Sequence, residues 1–445
     1  MDKNEIMEIL QDWNFWKKDL ETGIERGIYL DKLRGFLKTG QIVTITGARR
    51  AGKSFLMRQL IRSLISEGVD RRNILMVNFE DPRFTELDAK TLQSTYEAYL
   101  EFLNPQGQIF IFLDEVQEVS GWERWVRTIH ELNKARLVIS GSNAKLLSRE
   151  LSTLLTGRHI DLVVFPLSFR EYLAFNGIDL KDRLDFISKR VEIEGFFRKY
   201  LEWGGFPEVV LSPSESKQML FHYFEDIINK DLIRRYRIRK SERLNSLAKF
   251  YLTNISSSIT FNSLEKFLNI SADTVEKFSH WLEDVYLLFF LKRFSFKVKE
   301  QEKSPRKVYA IDTGLVNAIG FRFSQNLGRF AENIVFLELV RRRALEKNAL
   351  EFYYWKDPQH REVDFVVKEG LGVTQVLQVC WELNRPETKI REIKALLKGM
   401  EELKLAEGFV ITQDLEKEEN IVGKKIKYVP LWKWLLGDFA VALRD

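Results

Sequence analysis

Short apolar runs alternate with amphipathic segments in the first part of the chain. The runs, which are typical of buried β-strands, are Ile42–Thr46, Ile74–Phe79, Ile109–Leu113, Arg136–Ser140 and Ile160–Phe165. The amphipathic segment after the first run carries Leu56, Leu60, Ile61 and Leu64 on one helical face. Strands that alternate with helices predict an α/β fold with a doubly wound parallel sheet, whose ligand lies at the carboxyl ends of the strands.

The pattern changes after this first part. Helical periodicity dominates from Pro166 to about residue 230, with a break at Gly204–Pro207, and short helices then lead to an apolar run at Tyr286–Phe296. Strands and helices alternate again from Lys307 onward. We therefore predict a first α/β domain, the core, at 1–165, a helical lid at 166–240, a winged-helix-like module at 241–305 and a separate α/β domain at 306–445.

A phosphate-binding motif lies between the first strand and the helix that follows it. Residues 47–54 read Gly-Ala-Arg-Arg-Ala-Gly-Lys-Ser and fit G-x-x-x-x-G-K-[ST]. In this context the loop amides and the helix N-terminus converge on phosphate, Lys53 adds a charge, and the Ser54 hydroxyl ligates Mg²⁺. We therefore expect ATP and Mg²⁺ as ligands. The residues predicted to bind the nucleotide are Gly47, Ala48, Arg49, Arg50, Ala51, Gly52, Lys53, Ser54 and Phe55.

Two carboxylates end the third predicted strand. Asp114 is predicted to hold Mg²⁺ through water, and the adjacent Glu115 to polarise the attacking water. A base at this position predicts hydrolysis of ATP in addition to binding. The next strand ends in Ser140, Ser142 and Asn143, and any of them could bring a polar group to the γ-phosphate or simply cap the strand.

Arginines are candidates for neutralising the transferred phosphoryl group. Arg158, directly after Gly157, is the first candidate, and the alternative is an exposed arginine in a salt bridge. Arg49 and Arg50 lie in the loop itself and could contact phosphate or a neighbouring subunit, which would require a homo-oligomer.

Composition and charge narrow the class of protein. Cys380 is the only cysteine and the five histidines are scattered, which argues against a disulfide framework or a Cys/His metal site. No apolar run is long enough to span a bilayer and the start is acidic and amphipathic, so we expect a cytoplasmic protein without membrane contact. Residues 231–310 hold 16 Lys and Arg against 9 Asp and Glu, which indicates either a polyanion-binding surface or a solvated helix face.

The basic residues surround a helix that is itself acidic. Ser271 is a good N-cap for a helix to about Val285, the position of a recognition helix, but Asp273, Glu276, Glu283 and Asp284 would repel phosphates. The basic residues before this helix are Arg234, Arg235, Arg237, Arg239 and Lys240, and others follow from Lys292 to Lys307. We therefore expect these residues to contact the sugar-phosphate backbone of DNA with weak sequence preference. The alternative is a winged helix with a purely structural role.

Several motifs together resemble the AAA-type ATPases of archaea and bacteria. They are Gly47–Ser54, Val77–Asp81, Asp114-Glu115, Ser140–Ser142, Gly157-Arg158 with Phe165–Phe169, Gly204–Pro207, Tyr309–Gly314 and Glu362–Phe365. In that group the ATPase core is followed by helices, a winged helix and a C-terminal domain of unknown function that is similar to restriction endonucleases. The resemblance thus implies a restriction-endonuclease-like fold for residues 306–445.

The resemblance also implies positions for a nuclease site. Such a fold uses a helix Glu, a strand Asp and an E-x-K on the next strand, and these fall on Glu332, Asp364 and Gln378–Cys380. Gln and Cys in place of Glu and Lys predict an inactive nuclease, in which Glu332 and Asp364 are polar fold determinants. Lys389 or Lys394 could reach back as a substitute lysine. The cluster Arg341–Arg343 could touch phosphates or be solvated.

These observations favour a Mg²⁺-dependent ATPase of AAA type that couples ATP hydrolysis to DNA binding or remodelling. Two other classes stay open: a nucleotide switch or chaperone-like regulator that acts on protein partners, and an ATP-gated nuclease. Glu115, Lys53 and Arg158 are the predicted catalytic residues, and Ser54 and Asp114 the predicted Mg²⁺ ligands.

Overall fold

The computed structural model describes residues 1–143, 157–320, 327–345, 349–381, 383 and 386–437. The chain divides into two compact units, Met1–Phe165 and Pro166–Asp445.

A five-stranded parallel sheet forms the centre of the first unit. Its strands are β1 (Ile42–Gly47), β2 (Ile74–Asn78), β3 (Phe110–Asp114), β4 (Arg136–Gly141) and β5 (His159–Val164). They are arranged in the order β2-β3-β4-β1-β5, and every neighbouring pair is parallel. The apolar runs predicted this sheet because a parallel strand is buried on both faces, and the α/β class is confirmed.

Helices cover this sheet. They are α1 (Lys3–Trp13), α2 (Gly27–Lys38), α3 (Lys53–Ser66), α4 (Ala89–Leu103) and α5 (Trp122–Glu131), with short 3-10 turns at Arg71–Asn73 and Val116–Glu118. A capping box at Asp2 begins α1, whose apolar face packs into the core beside β2 and α4. This burial explains the amphipathic character of the first residues.

Helices open the second unit. They are α6 (Phe169–Phe175), α7 (Arg183–Ser188), α8 (Arg190–Trp203), α9 (Pro207–Leu211), α10 (Ser216–Asp226), a π-helix at Ile227–Arg234 and a 3-10 turn at Pro213–Glu215. The next elements are α11 (Ser241–Thr253), β6 (Ser258–Ile259), α12 (Phe261–Leu268), α13 (Ala272–Asp284), β7 (Leu288–Leu291), α14 (Val298–Lys303), β8 (Arg306–Ala310) and α15 (Thr313–Ile319). Strands β6, β8 and β7 form a three-stranded antiparallel sheet in that order.

A six-stranded mixed sheet follows. Its elements are α16 (Leu327–Leu345), β9 (Leu350–Lys356), β10 (Glu362–Glu369), β11 (Gly372–Val379), α17 (Pro386–Glu402), β12 (Glu407–Thr412), β13 (Lys417–Ile421), β14 (Lys424–Pro430) and α18 (Leu431–Leu436). The strand order is β13-β14-β12-β11-β10-β9, and β12 pairs in parallel with both β11 and β14. Its core lies between the sheet and α17.

Two strands, β7 and β8, differ from the prediction. The apolar run at Tyr286–Phe296 forms a strand only at Leu288–Leu291, because the chain then changes partner: Phe294 N donates to Tyr354 O in β9 at 2.7 Å. Strand β8, predicted as part of the last α/β domain, instead pairs with β6 and β7. Apolar periodicity shows which face of a strand is buried, but it does not show which strand is its partner.

Candidate active site

The phosphate loop leaves the carboxyl end of β1 and enters α3. At Gly47, φ is +142°, and a Cβ there would lie 2.1 Å from the carbonyl oxygen of Val164 in the neighbouring strand. At Gly52, the residue before α3, φ is +96°. Only glycine accepts both conditions, so the glycines of the motif are required by the backbone path of the loop.

Lys53 lies inside the loop. Its side chain is 4% exposed, and its Nζ donates to the carbonyl oxygens of Gly47 at 3.1 Å and Ala48 at 3.2 Å. The same Nζ lies 3.6 Å from Oε1 of Glu115. The ammonium is therefore held at the floor of the loop, where it faces a carboxylate at the end of a strand of the same sheet.

Asp114 ends β3 and is buried. Its carboxylate accepts hydrogen bonds from the hydroxyls of Ser140 and Ser54. Burial, together with repulsion by the Glu115 carboxylate, raises the pKa of Asp114 despite these donors and the charge of Lys53. Asp114 is thus a buried carboxylate next to a second carboxylate, and its partner Ser54 lies in the first turn of α3.

Glu115 lies directly after β3 with φ at +51°, a left-handed conformation that turns its side chain toward Lys53. Its backbone N donates to Ser140 Oγ at 3.1 Å, and Gln117 Nε2 donates to its carboxylate. Burial opposes ionisation, but the charges of Lys53 and Arg49 outweigh it and lower the pKa of Glu115. Glu115 is therefore a carboxylate at neutral pH.

The other loop residues differ in their exposure. Arg49 forms an ion pair with Glu80, with Nη1 2.7 Å from Oε1, and Arg50 is exposed with φ at +68°. Ala51 is buried. Phe55 is 41% exposed on the first turn of α3, and its ring lies 5.4 Å from the Arg58 guanidinium.

The three polar residues at the end of β4 are all buried. Of these, Ser140 contacts both Asp114 and Glu115, as described above. Ser140 reaches both acidic residues because its strand, β4, lies next to β3, which carries them. The sequence alone does not give the order of the strands in the sheet.

The predicted role of Arg158 in its own chain's pocket is wrong. Parallel pairing aligns Ile42 with His159 and Gly47 with Val164, so Arg158 lies at the sheet edge opposite the phosphate loop. There its guanidinium forms an ion pair with Glu131 at the end of α5. The position before a parallel strand always lies at the amino edge of the sheet.

Arg26 supports the loop and was not found by sequence reasoning. Its side chain is buried, donates to the carbonyl oxygens of Ala51 at 2.8 Å and Phe165 at 3.0 Å, and stacks over the Tyr29 ring at 4.5 Å. No motif marks an arginine 21 positions before the loop.

In the second unit, Glu332 and Asp364 do lie together, and both contact Lys307 of β8. The predicted substitute lysines do not reach them: Lys389 Nζ lies 3.8 Å from Glu419, and Lys394 is exposed. Gln378 accepts from Asp364 N at 3.3 Å, and burial raises the pKa of Cys380 to about 12.

The arginine cluster on α16 is engaged within the second unit. Arg341 and Arg342 both pair with Glu338, at 2.6 and 3.0 Å, and Arg342 also donates to Trp434 O at 3.0 Å. The Arg343 guanidinium lies 5.6 Å from the Phe352 ring. Arg341 and Arg342 are therefore held by contacts within the second unit, whereas Arg343 is exposed.

The basic residues around the start of α11 are different. Five cationic side chains are exposed between the end of the π-helix and the first turn of α11, and they form no ion pair with any described residue. They are Arg234, Arg237, Arg239, Lys240 and Arg243. Arg239, Lys240 and Arg243 line one open depression. By contrast, Lys292 and Lys297 pair with Glu302 and Glu300 at 2.5 and 3.2 Å.

The described residues carry neither a ready metal cluster nor a membrane helix. Within the described ranges, no three His, Cys, Asp or Glu side chains are arranged to hold a metal ion. Nor does any helix among the residues with described structure combine the length and apolar character that a bilayer crossing requires.

Comparison with known families assigns most of the chain. Residues 39–173 match an AAA domain, residues 195–327 the domain of unknown function DUF8612, and residues 327–434 the domain of unknown function DUF4143. The AAA match agrees with the phosphate loop and parallel sheet and supports a nucleotide-dependent function.

Individual relatives cover nearly the whole chain. An uncharacterized protein of Methanocaldococcus jannaschii is 34% identical over 410 residues, which are 89% of this chain and 88% of the relative. An uncharacterized protein of Haemophilus influenzae is 30% identical over 418 residues, which are 92% of this chain and 98% of the relative. Among solved structures, AMPPCP-bound DnaA from Aquifex aeolicus aligns over 62% of this chain and 92% of its own, with 15% identity and a TM-score of 0.26. The chain therefore belongs to the same family as these archaeal and bacterial relatives, and its residues 39–173 form an AAA domain.

Proposed function

We propose that the chain is a Mg²⁺-dependent ATP hydrolase. The observation that carries this proposal is the pairing of Lys53 and Glu115: a buried ammonium held by loop carbonyls lies 3.6 Å from a buried carboxylate. Lys53 would release the carbonyls of Gly47 and Ala48 to contact the β- and γ-phosphates. Glu115 would then accept the proton of the attacking water.

The donor set beside Lys53 fits Mg²⁺. Ser54 supplies a hydroxyl and Asp114 a carboxylate, and oxygen ligands of this kind suit a hard cation that keeps several waters. Burial and, after it, repulsion by the Glu115 carboxylate raise the pKa of Asp114, so a positive charge nearby would stabilise the ionised carboxylate. A divalent ion would supply that charge, and with it neutralise the phosphate oxygens.

Neighbouring side chains hold the base in position. Gln117 donates to the Glu115 carboxylate, and Ser140 accepts from the Glu115 amide. The lowered pKa of Glu115 keeps it able to accept a proton at neutral pH. Orientation of one water by one fixed carboxylate is the main chemical task in phosphoryl transfer to water.

The test is the pair Glu115→Gln and Lys53→Ala. Glu115→Gln should bind Mg-ATP but lose at least about 100-fold in turnover, as expected when a general base is removed. Lys53→Ala should lose nucleotide binding. Glu118→Gln, three residues along and exposed, is the matched control and should turn over normally. Retained turnover in Glu115→Gln would reject the assigned role.

We further propose that ATP hydrolysis is coupled to DNA through the exposed basic segment at residues 234–243. This proposal is supported by five exposed side chains that form no ion pair with any described residue: Arg234, Arg237, Arg239, Lys240 and Arg243. Side chains left unpaired by their own unit are available to phosphates, and such contacts position a duplex without reading its sequence. Binding that weakens steeply with salt and differs little between sequences is the expected result.

One observation favours a protein partner as the second candidate. The helix in the recognition position, α13, carries Glu276 and Glu283 around His280, at 3.7 and 3.8 Å from its ring nitrogens, with Glu265 exposed on the preceding helix α12. This acidic surface suits a basic protein segment better than DNA. Absence of binding to duplex, junction and single-stranded DNA would favour this switch-like function over the DNA-linked one.

Arg158 is the residue for which the proposal would require a homo-oligomer. Its side chain is 48% exposed at the far edge of its own sheet, so any phosphoryl contact by Arg158 would be made to another copy of the chain.

A further inference from the structure

A buried lysine lies at the centre of three carboxylates in the second unit. The Lys307 side chain is 2% exposed, and its Nζ lies 2.7 Å from Glu332 Oε1 and 2.9 Å from both Glu362 Oε1 and Asp364 Oδ1. Glu332 comes from α16, Glu362 and Asp364 from β10, and Lys307 from β8. Three separate elements therefore meet at one ammonium.

Further donors complete this cluster. The Tyr309 hydroxyl donates to Glu332 Oε1 at 2.7 Å, and Lys356 Nζ lies 2.9 Å from Glu362 Oε2. The second oxygen of Asp364 accepts from the backbone N of Val379 at 2.9 Å. Each carboxylate is thus fixed by a second partner, while one oxygen of each is directed at the Lys307 ammonium.

Carboxylate oxygens are the ligands that a hard divalent cation prefers, but at 2.7–2.9 Å from one nitrogen these three are spaced around an ammonium and do not form a ready metal site. A side chain of the protein thus occupies the point between them. Burial disfavours a charged lysine, yet the carboxylates outweigh burial and raise the pKa of Lys307 well above its ordinary value. The ammonium therefore supplies the positive charge that a metal ion would otherwise bring.

The remaining nuclease positions also fail to fit a metal. Gln378 accepts from the Asp364 backbone N at 3.3 Å and donates to Glu392 Oε2 at 2.6 Å, so its amide is engaged on both sides. The residues present thus disagree with the metal centre that a restriction-endonuclease-like fold implies, because its position is already filled.

We propose that Lys307 is an internal cation that takes the place of a divalent metal ion and keeps this carboxylate site closed to metal. The site's ligand class, once the ammonium is removed, is a hard divalent cation such as Mn²⁺. The inference concerns the second unit and does not depend on ATP hydrolysis by the first.

The fold fixes the backbone from which the Lys307 side chain extends. Lys307 pairs with Ser258 on one side and with Leu291 on the other, in the middle of the three-stranded sheet. Displacement of the Lys307 backbone would require both pairings to break, and its ammonium is held by the three carboxylates around it. The wild-type site is accordingly a fixed ion cluster that joins β8 to α16 and β10, and it is not a switch.

The experiment counts Mn²⁺ ions bound by the full chain without nucleotide, by electron paramagnetic resonance of free Mn²⁺. Lys307→Ala should bind one more Mn²⁺ per chain than wild type, and Lys307→Ala with Asp364→Asn should lose that extra ion. Lys356→Ala is the matched control, because Lys356 touches only Glu362 of the three carboxylates, and it should gain none. An unchanged count in Lys307→Ala overturns the proposal, as does a wild-type ion that Asp364→Asn removes.

Folding gives a second readout. Three carboxylates without a cation repel one another, so Lys307→Ala should melt at a lower temperature than wild type, and Mn²⁺ should restore much of the loss. Mn²⁺ should not restore the variant that also carries Asp364→Asn. If Lys307→Ala is unfolded without metal, circular dichroism with added Mn²⁺ decides: recovery of structure supports the proposal, and failure to recover contradicts it.

Discussion

The Ser140 hydroxyl donates a hydrogen bond to Oδ1 of Asp114 at the carboxyl edge of the first unit's sheet. The Oγ of Ser140 also accepts a hydrogen bond from the backbone N of Glu115 at 3.1 Å. One side chain on β4 therefore fixes both residues of the acidic pair at the end of β3. If Asp114 holds Mg²⁺ and Glu115 directs water, Ser140 sets the distance between the two.

Ser140→Ala should lower ATP turnover with little change in nucleotide affinity. The substitution removes a hydrogen bond to a carboxylate and leaves the buried Glu115 amide without its acceptor, each worth about 1–3 kcal/mol. If the transition state loses a comparable amount of stabilising free energy, turnover falls about 10- to 100-fold. Steady-state hydrolysis and equilibrium binding of a fluorescent nucleotide would measure the two effects separately.

The control for Ser140 is Ser140→Thr, which keeps the hydroxyl and suits a strand. Its turnover should be closer to wild type than that of the alanine variant. Equal losses in both variants would mean that packing at this position, and not the hydroxyl, determines the rate.

Arg158→Ala should leave turnover within about twofold of wild type in dilute protein, because the guanidinium lies at the opposite sheet edge and pairs with an exposed Glu131. Loss of such an exposed pair costs at most about 1 kcal/mol of stability. Turnover measured across a dilution series checks this. A loss on the order of 10³-fold that appears only in concentrated protein would instead indicate that Arg158 serves another copy.

The nucleotide site was predictable because its signals are local. The loop and Asp114-Glu115 each follow an apolar strand directly, so a parallel sheet brings their carboxyl ends to one edge. Arg158 shows the limit of that reasoning: it precedes its strand, and the same sheet geometry places it at the other edge. Strand direction was available from the sequence, and applying it would have excluded this residue.

Lys307 was beyond sequence reasoning for a different reason. The apolar pattern around β8 predicts a strand, but the side chain's partners depend on β8 joining β6 and β7, which no local signal specifies. Glu332 and Asp364 were identified through the resemblance, whereas the lysine between them was predicted as the end of a basic stretch and the start of the next domain. Contacts between distant segments require the tertiary fold.

Arg239→Ala with Lys240→Ala should weaken DNA binding and flatten its salt dependence. Removal of one phosphate contact lowers the slope of log affinity against log salt by about 0.9, so the double variant should lower it by about 2. The matched control is Lys292→Ala with Lys297→Ala, which removes the same charge from lysines already paired with Glu302 and Glu300. Fluorescence anisotropy at several salt concentrations gives the slopes; equal changes in both variants would argue against a localised contact surface.

Asp312 joins two motifs of the second unit that are distant in the chain. Its Oδ2 accepts from Gly205 N at 2.7 Å, while Oδ1 accepts from Gly314 N at 2.8 Å and Leu315 N at 3.2 Å at the start of α15. The approach is so close that a Cβ at Gly204 would lie 1.9 Å from Oδ1. This contact explains Gly204 at the break between α8 and α9, whereas a Cβ at Gly205 would lie 2.5 Å from the carbonyl oxygen of Leu167.

The stability of wild type relative to Asp312→Asn should fall as pH rises from about 4 to about 7. Burial, opposed by the three amide donors, raises the pKa of Asp312 from 3.8 to about 7 in the folded chain. Between these values the folded chain holds a proton that the unfolded chain has lost, so stability declines by up to about 1.4 kcal/mol per pH unit and is level above pH 7. Urea unfolding of both proteins at several pH values isolates this group, since all other titrating residues are shared. A difference that stays level in this window and changes only below about pH 4 would mean that the amide donors outweigh burial and keep Asp312 ionised.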